Sequence, residues 1–144
     1  MNIKDPVSSL MSTSILTLSP EDKLQAAKDI FVDHAIHHIP VVEDEQLVGI
    51  VSKMDYLYFL KPIQPESQEQ YINDIRLKNY TIEEVMTRRV VSVAPDDTIE
   101  TALGVLSENL FHALPVVEHG KLIGILTTHD IIFRLLHPKK ILAK

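Results

Sequence analysis

The chain is written twice, and that repeat constrains its fold more than any composition figure. A shift of 75 residues aligns Met11–Leu60 with Met86–Leu135 without a gap, and 14 of the 50 pairs are identical. The densest agreement lies between His37–Asp55 and His112–Asp130. In the first copy, two short runs rich in Val and Ile, Ile39–Val42 and Leu47–Val51, flank the polar turn Glu43–Gln46. That is the pattern of a largely buried hairpin. Ser52 follows, with Asp55 three residues on and an apolar-rich segment behind it, which signals a helix start. The second copy repeats this with a turn at Glu118–Lys121, where Gly120 can take positive φ, and with Thr127 and Asp130 at the helix start.

Around each hairpin the order reads strand, helix, strand, strand, helix. Ile15–Leu18 reads as a short strand. Ser19 and Pro20 then open a helix, with Glu21 and Asp22 in its first turn and Leu24, Ala27, Ile30 and Phe31 as a buried stripe. A helix from about Ser52 to Leu60 closes the unit. The second unit has a strand over Val90–Val93, Ala94–Pro95 as breaker, a helix over Thr98–Asn109, the second hairpin, and a last helix from about Thr127 to Leu136. Val7–Met11 suits a helical turn. The expected domains are a first repeat at 7–61, a partly helical linker at 62–80 with its helix near Ser67–Lys78, a second repeat at 81–137, and a basic tail at 138–144. The fold class is α+β (α/β), two β-α-β-β-α repeats. A repeat of about fifty residues buries too little surface to stand alone. The two are therefore expected to pack face to face about a pseudo-twofold axis, with two clefts between them.

Composition narrows the functions. With 45% hydrophobic residues the chain can build a core, and without cysteine it has neither disulfides nor thiolate chemistry. The net charge of −6 argues against broad nucleic-acid binding. No apolar run reaches membrane-spanning length and the start lacks a signal-peptide core, so a soluble, cytoplasmic protein is expected. None of the phosphate-loop, dinucleotide, nucleophile-elbow or metalloprotease motifs occurs, so an enzyme is not expected.

The repeat resembles the cystathionine β-synthase (CBS) domain, and the chain looks like a stand-alone tandem CBS pair. Met11-Ser12 and Met86-Thr87, Ile39-Pro40-Val41-Val42 and Leu114-Pro115-Val116-Val117, and above all Gly49-Ile50-Val51-Ser52-x-x-Asp55 and Gly124-Ile125-Leu126-Thr127-x-x-Asp130 carry the resemblance. It implies a regulatory module that binds AMP, ADP, ATP or S-adenosylmethionine in the clefts, requires no cofactor, forms a homodimer and signals to a separate effector protein.

The chemistry of these residues suits such a ligand. Glycine lets another group approach a strand end closely. A hydroxyl beside free helix-start N–H groups suits phosphate, and an Asp one turn on can accept two hydrogen bonds from a ribose diol. Asp55 and Asp130 are therefore assigned to ribose, and Ser52 and Thr127 to phosphate or ribose. The plainer reading is that these four residues only cap helices. The resemblance places Leu16, Val91, Ile36, His37, Phe111 and His112 at base-binding positions shaped by Pro40 and Pro115, with Ser12 and Thr87 in the lead-in motifs. Lys53, Arg88 and Arg89 are phosphate candidates; Thr13 and Ser14 stand where the second copy has the two arginines, so the clefts should differ. His34, His37 and His38 lack the partners of a metal site and are read as solvated or core side chains. His129, beside Asp130, is a weaker ligand or pH-sensing candidate. The rival readings are a dimerisation module with vestigial clefts and a sensor of a metal or another small molecule.

Overall fold

In the computed structural model, which describes residues 1–60, 66–109 and 112–138, the chain divides into two compact units. One is Leu16–Val90, and the other joins Met1–Ile15 to Val91–Lys144. Each unit thus takes its lead-in from the other copy of the repeat.

In the Leu16–Val90 unit, α1 (Leu24–Asp33) is followed by β1 (His38–Glu43) and β2 (Gln46–Ser52), then α2 (Lys53–Phe59), α3 (Glu66–Asn79) and α4 (Ile82–Val85). The helix expected from Ser19 begins five residues later. The Asp22 carboxylate accepts the Ser19 N–H at 2.8 Å and closes a local turn, and the first α1 amide, that of Leu24, donates to the Tyr80 carbonyl at 2.8 Å. β1 and β2 pair antiparallel, from His38 opposite Ser52 to Glu43 opposite Gln46, with a bulge at Val41–Val42. Asp44 and Glu45 turn the hairpin at φ 51° and 67°, left-handed positions that a two-residue turn demands. Ile39, Val41 and Val51 are sealed against Leu24, Ala27, Phe31, Leu77 and Ile82. Tyr56, the residue α2 buries, stacks on Phe31 at 5.5 Å, and desolvation together with the Asp29 charge raises its hydroxyl pKa.

The other unit opens with a 3₁₀ turn at Val7–Ser9 and continues with α5 (Ile99–Asn109), β3 (Ala113–Glu118), β4 (Lys121–Thr127) and α6 (Thr128–Leu136). Its hairpin repeats the register and the bulge of the first, with Gly120 at φ 81° as its sequence requires. Val7 and Leu10 are buried beside Val93, Ile99, Leu114 and Leu126. The lead-in also caps α5, since the Ile99 and Glu100 amides donate to the Asp5 and Ile3 carbonyls at 2.9 and 2.8 Å. Lys4 pairs with Glu100 on the surface.

The expected first strand of each repeat is reduced to a single parallel bridge, Leu18 with Val41 and Val93 with Val116. The reason is proline. The Leu18 N–H donates to the Pro40 carbonyl at 3.0 Å and the Val42 N–H donates to the Leu18 carbonyl at 2.8 Å. The next rung would need an N–H at Pro40 to reach the Leu16 carbonyl, and proline has none. Pro115 ends the Val93 bridge in the same way.

The lead-ins are held through glycine. Thr87 exchanges two hydrogen bonds with Ile50, at 2.9 and 3.0 Å, and Ser12 does so with Ile125, both at 2.9 Å. A Cβ on Gly49 would lie 2.4 Å from the Met86 sulfur and 3.0 Å from the Thr87 carbonyl oxygen. On Gly124 it would lie 2.6 Å from the Met11 sulfur and 3.1 Å from the Ser12 carbonyl oxygen. By contrast, a Cβ on Gly104 inside α5 would meet nothing within 4 Å. Urea denaturation should therefore split the glycines. Gly49→Ala and Gly124→Ala should each lose about 1–3 kcal/mol through overpacking, whereas Gly104→Ala should gain about 0.5–1 kcal/mol from helix propensity. Equal effects at all three would refute the close-approach role.

Candidate functional site

Each unit brings one set of the sequence-derived residues to the place where a hairpin passes into a helix. In the Leu16–Val90 unit the turn is Ser52, whose extended backbone (φ −90°, ψ 154°) ends β2 and caps α2. Its Oγ accepts the Asp55 N–H at 3.0 Å. The Lys53 N–H donates to the His37 carbonyl at 2.8 Å, which ties the residues before β1 to the first turn of α2. Thr87 lies beside the same turn, bonded to Ile50 two residues before Ser52. Asp55 is exposed, and among the described residues its carboxylate has no hydrogen-bond partner.

The second turn repeats this geometry with one change. Thr127 caps α6, its Oγ1 accepting the Asp130 N–H at 3.1 Å. Here the Asp130 carboxylate also reaches back, accepting the Thr127 N–H at 2.9 Å. This is a complete capping box. The Thr128 N–H donates to the His112 carbonyl at 3.0 Å, and Ser12 is bonded to Ile125, two residues before Thr127.

These bonds use up much of what the sequence left open for phosphate. At both helix starts the first amide is taken by a histidine carbonyl and the third by the hydroxyl cap. The capping interpretation is thus realised in full at Asp130 and in half at Asp55. The glycines, read as room for an approaching group, make room for the methionine lead-ins. Nothing local to Gly-x-x-[Ser/Thr] reveals that, because Met86 lies 37 positions beyond Gly49.

A second feature lies toward the same end of each hairpin. Leu16 and Val91 are 40% and 39% exposed. Each sits two residues before its parallel bridge, and among the described residues neither its N–H nor its C=O has a partner. Each unit therefore carries an unpaired backbone edge next to an apolar side chain. Ile36 is half-buried, His37 and His112 are exposed, and Pro40 and Pro115 are buried. Phe111 lies outside the described residues.

The cations are placed less evenly. Lys53 is half-buried at the first position of α2, where α6 has Thr128. Arg88, offered above as a phosphate ligand, pairs with Glu83 at 3.2 Å, a partner the sequence reading missed; Arg89 is exposed. Among the described residues no three His, Asp or Glu side chains come together as a metal site. His129 is exposed, with its ring 6.3 Å from that of Phe133.

The caps can be weighed directly. In thermal or urea denaturation without ligand, Ser52→Ala and Thr127→Ala should each cost about 1 kcal/mol, the usual value of a lost hydroxyl cap. A change below about 0.3 kcal/mol in both would mean the hydroxyls do not cap these helices.

A family model described as the CBS domain matches residues 7–62 and 82–137. An inosine-5'-monophosphate dehydrogenase of Korarchaeum cryptofilum is 32% identical over 131 residues, which cover 90% of this chain and 24% of that enzyme. The chain thus spans about a quarter of the length of that curated relative. Among solved structures, CBSX2, a CBS-pair protein of Arabidopsis thaliana, matches in its complex with AMP with 28% identity and a TM-score of 0.75, covering 94% of this chain and 99% of that one. The CBS domain pair of protein MJ0100, in complex with 5'-methylthioadenosine and S-adenosyl-L-methionine, matches with 27% identity and a TM-score of 0.72, covering 94% of this chain and 98% of that one.

Proposed function

The chain belongs to the CBS-domain family, and on that premise we propose that it is a regulatory module that binds an adenosine ligand at its strand-to-helix turns. The observation that carries this reading is the backbone edge at Leu16 and at Val91, unpaired among the described residues, with each carbonyl left open because Pro40 and Pro115 lack an N–H. An adenine ring presents a donor and an acceptor side by side, which an extended residue's C=O and N–H complement. The Leu16 and Val91 side chains, with Ile36 and His37 in one unit and His112 in the other, supply the surface against the ring. Asp55 and Asp130 take the ribose diol, with Ser52 and Thr127 beside them. Lys53 and Arg89 serve phosphate, and Arg88 joins them only by leaving Glu83. Both solved relatives named above hold adenosine compounds, which agrees with the choice of ligand.

We further propose that the output passes through a second copy of the chain to a separate effector protein. α2 exposes Met54, Leu57 and Tyr58, and α6 exposes Ile132, Leu135 and Leu136. Leu57 and Ile132 are equivalent positions of the repeat, so each unit exposes apolar side chains on the helix after its hairpin, the kind of surface an interface covers. A ligand shifts such an assembly only by binding one arrangement better than another. That exposed face also favours the rival reading, a dimerisation module whose turns hold nothing.

A thermal-shift screen against AMP, ADP, ATP, S-adenosylmethionine and divalent cations separates the two. An adenosine compound at about a hundred times its dissociation constant should stabilise by about 2.7 kcal/mol, enough to raise melting by several degrees. Asp55→Ala combined with Asp130→Ala should remove the shift and leave the dimer intact. A folded dimer that no adenosine compound shifts would leave the dimerisation module, and a shift by a cation alone would favour a metal sensor.

A further inference from the structure

We infer that the two turns are unequal sites: the Asp55 turn fills first, because the Asp130 carboxylate is already partly engaged by its capping box. This inference rests on the adenosine reading above. A carboxylate holds a vicinal diol best with both oxygens facing outward and free of other donors. Asp55 meets that condition, since it is exposed and, among the described residues, only its backbone N–H is engaged, by the Ser52 Oγ. Asp130 does not. Its Oδ2 already accepts the Thr127 N–H at 2.9 Å at a part-buried position, and the same residue's N–H is held by Thr127 Oγ1 at 3.1 Å.

A ligand at Asp130 meets a carboxylate with one acceptor position already spent, and its diol competes with the Thr127 N–H for Oδ2. Loss of one capping bond corresponds to about a 2- to 30-fold weaker association. The residue that opens each helix adds to the difference. Lys53 brings a cation to the first turn, whereas Thr128 brings none to the second. A phosphorylated adenosine should therefore separate the turns more widely than adenosine itself. Between the two glycines and the two aspartates the copies differ at four positions, among them Ser52 against Thr127 and Lys53 against Thr128.

The test is titration calorimetry of the full chain with AMP and, separately, with adenosine. For AMP the wild type should show two steps about tenfold or more apart. Asp55→Ala should remove the tight step, and Asp130→Ala only the weak one. Lys53→Ala should weaken the tight step for AMP and leave adenosine binding in place. A ligand-free readout guards against misfolding: Asp130→Ala should lower the melting temperature and Asp55→Ala should not, because only Asp130 completes a cap. Two equal steps, or loss of the tight step in Asp130→Ala, would overturn the inequality and leave the adenosine reading standing. A wild type that binds neither AMP nor adenosine would sink both.

Discussion

A backbone contact that only glycine permits underlies both turns. Ile50 and Ile125 each exchange two hydrogen bonds with a lead-in residue, Thr87 and Ser12, because the glycine before each isoleucine has no Cβ to meet the methionine and the carbonyl beyond it. That contact draws each lead-in alongside the hairpin that will end at Ser52 or Thr127. It also explains why the lead-in of one copy packs in the unit built from the other, with Val7, Leu10 and Met11 in the same buried cluster as Leu114 and Leu126. The motif glycine thus serves the architecture.

Two further constraints shape what each turn can offer. Proline at 40 and 115 has no N–H for the next rung of a parallel ladder, so the Leu16 and Val91 carbonyls stay open, and among the described residues their amides have no partner either. The histidine carbonyls and the hydroxyl caps, meanwhile, occupy two of the first three amides of α2 and α6. The balance at each turn moves away from bare helix-end amides and toward a backbone edge and a carboxylate, the groups to which the proposed adenosine reading gives the base and the ribose. In that proposal, positive charge for a phosphate falls to side chains such as Lys53 and Arg89.

What could be read in advance was local. The hairpins followed from short Val and Ile runs around polar turns, and the α2 and α6 starts from a hydroxyl with an acid three residues later. The late start of α1 was hidden because Asp22 closes a turn on Ser19 where a dipole argument placed a helix. Four-residue α4 was too short to show a period. The shortened first strands depend on which residue of β1 lies opposite Leu16, a pairing fact that spacing does not contain. The resemblance supplied the site positions, but neither Arg88's ion pair with Glu83 nor the difference between Asp55 and Asp130 could be read from matched motifs. Both depend on where side chains end, not on where they begin.

The most direct test of the central claim is a map of backbone amide shifts in the ¹⁵N spectrum as AMP is added. The account predicts that the responding amides cluster at Leu16 and Thr17, at Ile36–His38, and at Ser52–Asp55, with the matching positions around Val91, His112 and Thr127–Asp130 moving at higher ligand. Saturable shifts confined to other surfaces, with Leu16 and Asp55 unmoved, would contradict it: the open backbone edge would then be a consequence of proline placement and not a binding element.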